Sequence, residues 1–359
     1  MEARFLAKLA ERKEKGSLRS LSLFEGYTDF FSNDYLGIAR TTTTADIHRG
    51  STGSRLISGN SREAEAAEQL VAGFFGSEKA LIFNSGYDAN VGLFSSVPQK
   101  GDTVLYDELV HASVRDGIRL SHAKAWSFAH NDIEDLEKKL KLAQGTVFVA
   151  VESLYSMDGD FAPLEELVAC CEMHKALLIV DEAHSGGVFG SNGRGLMEEL
   201  GLSDRCFARL MTFGKAYGTH GAAICGSPEL IEYLCNFARS FIYTTALPNA
   251  QYTTICRCIE QSMDDRLREK LRENIRYFRE QGKMLPLLSD EDSPIQVIPY
   301  PTLMDCLSVS ERLQAHKQAV KAILPPTVPE NGQRLRICIH ATNTHEEIDV
   351  LVRLLYDNN

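Results

Sequence analysis

The sequence of 359 residues has no excess of positive charge and no cysteine pair of the kind that binds zinc. Lys and Arg number 38 against 49 Asp and Glu, which gives a formal net charge of −11. Proteins that bind a nucleic-acid backbone carry a basic surface, so this composition argues against a nucleic-acid partner. None of the nine cysteines forms a C-x-x-C pair, and we therefore predict no metal site.

The sequence also lacks a long apolar run and a secretory signal. No stretch reaches the roughly 18 consecutive apolar residues that a membrane-spanning helix needs. The N-terminal sequence MEARFLAKLAERKEKG is amphipathic and charged, without the apolar centre of a signal peptide. The cysteines are expected to be reduced and mostly buried. Together these features predict a cytoplasmic protein that does not bind membranes.

Apolar runs that alternate with helical patterns indicate an α/β fold. Their continuously apolar character is typical of strands that are covered on both faces, and the alternation favours a mostly parallel sheet. The runs are residues 80–86, 102–108, 146–153, 176–184, 208–215 and 222–227. After Pro248 a long charged helical pattern (251–281) is followed by shorter elements, which indicates a smaller α+β C-terminal domain. These elements are strands at 293–300 and 334–340 and helices at 308–319 and 345–356.

Polar residues follow several of the apolar runs, and Asp181 and Lys215 are the most informative pair. In an open α/β sheet, ligands bind beyond the carboxyl ends of the strands. The two residues could form a simple ion pair. They could also form a pyridoxal 5'-phosphate (PLP) site, where a lysine makes a Schiff base and an aspartate pairs with the pyridinium nitrogen. A phosphate-binding P-loop is excluded, because Arg209 and Ala216 stand where that motif needs Gly and Ser or Thr.

Nine motifs in a fixed order resemble the α-oxoamine synthases, which are PLP enzymes of fold type I. The motifs are SNDYLG (32–37), GSTGSRLISG (50–59), NSGYDAN (84–90), HAS (111–113), FAHND (128–132), SMDGD (156–160), DEAHSGGVFGSNGRG (181–195), TFGKAYG (212–218) and IYTTALP (242–248). The resemblance implies a homodimer with active sites at the subunit interface. It also implies an N-terminal segment (1–36), a large PLP-binding domain (37–265) and a small C-terminal domain (266–359).

The resemblance assigns five residues to the cofactor ring. Lys215 matches the Schiff-base lysine and Asp181 the partner of the ring nitrogen. His111 matches the imidazole that stacks on the ring. His184 matches the residue near the ring hydroxyl, and Ser156 matches a residue beside the ring.

Further matches concern the phosphate of the cofactor. Gly86 and Tyr87 match the loop that binds the phosphate through backbone N–H groups, just before a helical stretch. Thr212 matches a hydroxyl donor to the phosphate. Thr245 matches a hydroxyl provided by the partner subunit, although Thr244 beside it is an alternative.

Two residues match contacts to the amino-acid substrate. Asn33 is one, and Arg336 is the other, through the substrate carboxylate, which a guanidinium binds in bidentate fashion. Arg334 is an alternative, because residues two apart on a strand share a face. Arg55 is more often found in a structural ion pair.

The implied reaction is a decarboxylative condensation of an amino acid with an acyl thioester, with Lys215 as general base. We expect L-alanine and pimeloyl-CoA or pimeloyl-carrier protein, giving 8-amino-7-oxononanoate for biotin biosynthesis. Another α-oxoamine synthase activity is an alternative, such as that of glycine C-acetyltransferase or of a serine or glycine acyltransferase. An aminotransferase or lyase of the same fold and a binding-only relative are further alternatives. DEAHSGG (181–187) replaces the commoner DEAHGTG, which leaves the acyl specificity open.

Overall fold

The computed structural model describes residues 13–14, 26–32, 34–38 and 50–357. The chain divides into two compact units. The larger unit comprises residues 33–156 and 160–272, and the smaller comprises residues up to Ser32, 157–159 and 273–359. The domain boundaries at 36/37 and 265/266 stay a prediction. In the part of the chain that is described, no helix is both long enough and apolar enough to span a bilayer.

A seven-stranded sheet forms the centre of the larger unit. Its strands are β2 (Lys79–Phe83), β3 (Thr103–Asp107), β4 (Lys124–Phe128), β5 (Val147–Glu152), β6 (Leu177–Asp181), β7 (Ala208–Thr212) and β8 (Ala222–Gly226). The strand order is β2-β8-β7-β6-β5-β3-β4. Strand β8 runs antiparallel to both of its neighbours, β2 and β7, and the other pairs among these strands are parallel, so the sheet is mostly parallel, as predicted.

Helices cover both faces of this sheet. Alternate residues of each strand point to opposite faces, so Leu81 and Phe83 join one buried cluster while Ala80 and Ile82 join another. The helices of the larger unit are α1 (Arg62–Phe75), α2 (Gly86–Ser96), α3 (Ala112–Leu120), α4 (Ile133–Leu140), α5 (Leu164–His174), α6 (Leu196–Glu199), α7 (Pro228–Phe237), α8 (Arg239–Ile242) and α9 (Asn249–Ser262). Two-sided burial explains why these strands are continuously apolar in sequence.

One predicted helix is wrong in its extent, and one strand lacked a sequence signal. Residues 251–281 were expected to form a single helix, but α9 ends at Ser262 and α10 (Asp265–Gln281) begins after a break. The buried Arg268 guanidinium donates to the carbonyl oxygens of Ser262 and Met263, which satisfies the end of α9. Strand β4 lies at the sheet edge with its first three residues exposed, so no apolar run marks it.

The smaller unit contains two short sheets. Strands β9 (Ile295–Pro299), β11 (Lys321–Ile323) and β12 (Arg334–Cys338) form an antiparallel sheet, and β1 (Thr28–Asp29) pairs with β10 (Gln318–Ala319). Helices α11 (Leu303–Ala315) and α12 (His345–Tyr356) complete it. The helix predicted at 308–319 ends earlier, since residues 318–319 are extended. A smaller α+β unit is what the sequence pattern predicted.

Candidate active site

The carboxyl ends of the parallel strands meet at one edge of the large sheet, and Asp181 lies at the centre of this edge. It closes β6, between β5 and β7, and is 7% exposed. Its Oδ2 accepts a 2.9 Å hydrogen bond from Asn90 Nδ2, and its Oδ1 accepts one of 3.0 Å from the backbone N–H of Ala183. Both oxygens are therefore held in place, and the two donors stabilise a carboxylate.

A chain of hydrogen bonds connects Asp181 to His111. The buried amide of Asn90 donates to Asp181 and also to Ser113 Oγ, at 3.0 Å. Ser113 Oγ lies 2.7 Å from His111 Nδ1, and the backbone N–H of Ser113 donates to the same nitrogen. Because Nδ1 accepts this N–H, the arrangement assigns the ring proton of neutral His111 to Nε2. Two predicted ring contacts are thus brought together by residues that were not predicted.

The environment of His111 favours its neutral form. The residue caps the N-terminus of α3, and part of its surface is exposed at the open edge of the sheet. The surrounding protein desolvates the ring and lowers the pKa of His111; the charge of Asp181 opposes this shift, and that of Lys215 adds to it. An uncharged ring with an exposed face is suited to stacking against a planar ligand.

Lys215 follows β7 in a tight turn and is partly buried. Its backbone carbonyl accepts a 2.8 Å hydrogen bond from Gly218, which closes the turn. The charge of Lys215 acts on both His111 and Glu152. The structure therefore brings Lys215 into the electrostatic environment of the Asp181 edge.

His184 lies just beyond Asp181 and is 5% exposed. Its Nδ1 forms a 2.8 Å hydrogen bond with the hydroxyl of Tyr35, which fixes the plane of the imidazole. Tyr35 belongs to the SNDYLG motif, but the sequence did not single it out. The predicted substrate contact Asn33 lies in the same motif, outside the residues that the structure describes.

Helix α2 begins at the same sheet edge. Ser85 caps it, and Gly86 and Tyr87 occupy its first turn, where backbone N–H groups have no partner within the helix. Within the described part of the chain, Thr212 Oγ1 is a buried hydroxyl oxygen with no hydrogen-bond partner. A Cβ placed on Gly86 would lie 3.3 Å from this oxygen. The site thus has an orphaned hydroxyl next to a helix N-terminus, a combination that suits a phosphate.

The buried carboxyl group of Glu152 lies beside this site. Glu152 closes β5 next to Asp181 and is 3% exposed. Its Oε2 accepts a 3.3 Å hydrogen bond from the backbone N–H of Ser156, the residue predicted to lie beside the ring. Burial first, and the charge of Asp181 second, raise the pKa of Glu152 to about 8. Sequence reasoning gave Glu152 no role, although it follows an apolar run as Asp181 does.

The neighbouring Glu182 has a structural role instead. It follows the last residue of β6 and is completely buried. It pairs with buried Arg209, with Arg209 Nη2 2.6 Å from Glu182 Oε2, and accepts from Ser185 and the backbone of Met197. Arg55 likewise pairs with Glu68.

His130, in the FAHND motif, stabilises the loop that carries Ser156. It bonds to Asp107 at 2.9 Å and to Asp160 at 2.7 Å. Burial opposes its charged form, but the two carboxylates outweigh burial and raise the pKa of His130 to about 10. This explains why the FAHND and SMDGD motifs occur together.

The remaining predicted residues are distributed as follows. Thr245 has an exposed side chain, and its carbonyl oxygen accepts from Asn84, whose amide also donates to Thr244 Oγ1. The hydroxyl of Tyr87 donates to Asp116. The backbone assignment of Gly86 and Tyr87 and the partner-subunit assignment of Thr245 stay predictions.

Arg334 and Arg336 lie on β12 in the smaller unit. Arg334 forms an ion pair with Asp158 and also donates to the carbonyl of Gly332. Arg336 Nη1 donates to Cys338 Sγ at 3.0 Å. The assignment of Arg336 to the substrate carboxylate, with Arg334 as the alternative, stays a prediction.

The residues that were expected to hold PLP fit such a group. A buried carboxylate, a neutral imidazole, an amine and a helix N-terminus beside an orphaned hydroxyl provide one contact for each polar part of the cofactor. In the described part of the chain, no group of three or more His, Cys, Asp or Glu side chains could hold a metal ion.

Comparison with known proteins gives a consistent picture. A family model described as aminotransferase class I and II matches residues 25–355. The 8-amino-7-oxononanoate synthase of Emericella nidulans is 39% identical, with 97% of this chain and 93% of that protein covered. The protein of the same name from Marinobacter nauticus is 38% identical, with 98% and 95% covered.

Solved structures show the same architecture. Serine palmitoyltransferase from S. paucimobilis, with bound PLP-myriocin, has a TM-score of 0.90 and 28% identity, with 98% of this chain and 95% of that chain covered. The 8-amino-7-oxononanoate synthase of Francisella tularensis has a TM-score of 0.81 and 30% identity, with 92% and 97% covered. These matches confirm the predicted fold class.

Proposed function

Because the chain belongs to the aminotransferase class I and II family, we propose that it condenses L-alanine with a pimeloyl thioester to give 8-amino-7-oxononanoate, for biotin biosynthesis. Carbon dioxide and the free thiol, either CoA or a carrier protein, are the other products. The motif resemblance to the α-oxoamine synthases is confirmed by the curated relatives. A second acyl–amino acid pair, serine with a long-chain thioester, is suggested by the similarity to serine palmitoyltransferase.

The proposed cofactor is PLP, which supplies an electron sink for the negative charge that develops on the substrate's Cα. Lys215 would hold it covalently, and Asp181 would pair with its ring nitrogen. His111 would stack on the ring, with Ser156 and His184 beside it. Its phosphate would be held by Thr212 and the first turn of α2, Gly86 and Tyr87.

The side chains of the site then have separate tasks. The Nζ of Lys215 takes the proton from Cα of the amino acid and later returns one to the product. Asp181 keeps a negative charge where the ring nitrogen needs a counter-ion, because Asn90 and Ala183 stabilise its carboxylate. Arg336 binds the substrate carboxylate.

The observation that carries this proposal is the hydrogen-bonded chain from Asp181 through Asn90 and Ser113 to His111. A simple ion pair between Asp181 and Lys215 would not require Asp181 to be connected to an uncharged imidazole through Asn90 and Ser113. A buried, hydrogen-bonded carboxylate next to an exposed imidazole face suits a planar cationic ring.

A substrate panel tests the reaction. The purified protein is incubated with alanine, glycine or serine and with acetyl, pimeloyl or palmitoyl thioesters, and amino ketone, carbon dioxide and thiol are quantified. We expect the largest kcat/KM for alanine with a pimeloyl thioester. Preference for serine with palmitoyl-CoA would replace this substrate pair, and turnover without release of thiol would indicate an aminotransferase or a lyase.

We further propose a homodimer in which the Ile57 surface, formed by Leu56, Ile57 and Tyr243, is buried. Ile57 is 86% exposed and Tyr243 72% exposed in the single chain. The two segments are adjacent, since Ala246 donates its backbone N–H to the Gly53 carbonyl at 3.0 Å. Adjacent exposed apolar side chains are typical of an interaction site.

Replacing Ile57 with aspartate is expected to shift the protein toward monomer, because the variant would bury an unpaired charge in the interface. Sedimentation equilibrium measures the mass. Met173→Asp, at an exposed methionine on α5, is the matched control and should remain dimeric. An unchanged mass for Ile57→Asp would show that this surface is not the interface.

A cytoplasmic location is also proposed. No disulfide joins the nine cysteines, all of which lie within residues 50–357 that the structure describes, and six of them are buried. Free thiols are typical of proteins that work in a reducing compartment.

A further inference from the structure

Glu152 and Asp181 form a pair of buried carboxyl groups at the active-site edge. They close the adjacent parallel strands β5 and β6 and are direct partners in the sheet register. Neighbouring strands are about 4.8 Å apart, and paired residues of parallel strands point to the same face. Two carboxylates that share one buried site repel each other, and this repulsion favours the protonated form of one of them.

The hydrogen bonds decide which of the two is ionised. Asp181 accepts from Asn90 Nδ2 at 2.9 Å and from Ala183 N at 3.0 Å, one donor for each oxygen. Glu152 Oε2 accepts a longer bond of 3.3 Å from Ser156 N, whereas its Oε1 is buried without a hydrogen-bond partner. The donors that would stabilise a carboxylate are therefore weaker at Glu152 than at Asp181, so Asp181 is the better placed of the two to carry the charge.

We propose that Glu152 is a positioning residue that remains protonated in the working enzyme, so that Asp181 carries the single negative charge of this pair. The proposal rests on the proposed function only for the roles of Asp181, His111 and Lys215. As a neutral acid, Glu152 fills the space between the strand ends and anchors the turn at Ser156. It also leaves Asp181 without a competing charge.

An ionised Glu152 would alter the site in two ways. It would place a second negative charge beside Asp181, and it would favour the ammonium form of Lys215, which must lose a proton to act as a base. The charged groups that face Glu152 are Asp181 on β6 and Lys215 after β7. The backbone of His111 and the phenol of Tyr155 are also near it. Burial and Asp181 act together to raise the pKa of Glu152 to about 8.

The direction of the pH effect follows from linkage. In the unfolded chain Glu152 ionises near its ordinary value of 4.5, and in the folded protein near 8. Between these values the folded state binds the extra proton, so this group's contribution to stability decreases as the pH rises. The contribution is fully present below 4.5 and fully lost above 8.

Substitution of Glu152 by glutamine tests the proposal, because glutamine keeps the size of the acid and cannot ionise. The thermal midpoint of the full-length protein is measured from about pH 5 to pH 9, the range that brackets the shifted ionisation, with and without cofactor. We expect the midpoint of Glu152→Gln to gain on the wild type as the pH rises, with no further gain above 8. Glu108→Gln, at an exposed glutamate after β3, is the control and should show no such trend.

Two further measurements make the test decisive. In the loaded enzyme, the alkaline decrease in turnover near pH 8 should be weaker in Glu152→Gln, whereas a merely structural residue would leave the pH profile unchanged. If the variant does not fold, infrared spectroscopy of the wild type with 13C-labelled glutamate should show a protonated carboxyl band at pH 7. Absence of that band, or a pH-independent difference in midpoint, would overturn the proposal. Neither the infrared band nor the midpoint depends on turnover, so the proposed function is tested separately.

Discussion

Replacing Lys215 with alanine is expected to reduce amino-ketone formation below detection. The substitution removes both the amine that would hold the cofactor and the group that takes the proton from the substrate's Cα. A positioned general base alone contributes about 10²–10⁴-fold to a rate, and loss of covalent attachment adds to this. Product formation is measured by mass spectrometry with alanine and pimeloyl-CoA over several hours.

A matched variant separates this effect from general damage to the protein. Lys283 is an exposed lysine of the smaller unit, and Lys283→Ala should retain wild-type turnover. Circular dichroism should show both variants folded, because Lys215 is only partly buried. Turnover by Lys215→Ala within tenfold of the wild type would require a different base and a different attachment point.

Asparagine at position 181 is expected to lower kcat by about 10²–10³-fold, the loss typical of removing one preorganised electrostatic contact. The amide has almost the size of the carboxylate, so the variant should fold and still bind PLP through the other contacts. It cannot provide the negative charge that keeps the ring nitrogen protonated. Its amide nitrogen would also face the Nδ2 donor of Asn90, which now donates to Asp181.

Two measurements distinguish these consequences. Cofactor content after dialysis reports on binding, and kcat with saturating substrates reports on the charge. Asp204→Asn, at an exposed aspartate, controls for the loss of one negative charge and should behave as the wild type. If Asp181→Asn kept both its cofactor and a near-normal kcat, Asp181 would not be the partner of the ring nitrogen.

The ends of the apolar strands were predictable because burial leaves a strong pattern in the sequence. Asp181 and Thr212 end strands that are covered on both faces, and their polar side chains stand out against the apolar run. Lys215 follows three residues after Thr212 and stood out for the same reason. The family motifs added a chemical role to residues that the pattern alone would have left as an ion pair.

The contacts between these residues were not predictable from the sequence. Asn90 and Asp181 are 91 positions apart, and their hydrogen bond depends on how α2 packs against the sheet. The pairing of Glu152 with Asp181 depends on β5 and β6 being adjacent and in register, which no local pattern specifies. Strand β4 was not predicted either, because its exposed residues at the sheet edge leave no apolar run in the sequence.

The most direct test of the central claim is to locate the lysine that holds the cofactor. The purified protein is loaded with PLP, reduced with borohydride, digested and analysed by peptide mass spectrometry. The expected result is a pyridoxyl modification on Lys215 in the wild type, with none on the corresponding peptide of Lys215→Ala. Modification of a different lysine, or of none, would contradict the proposed active site.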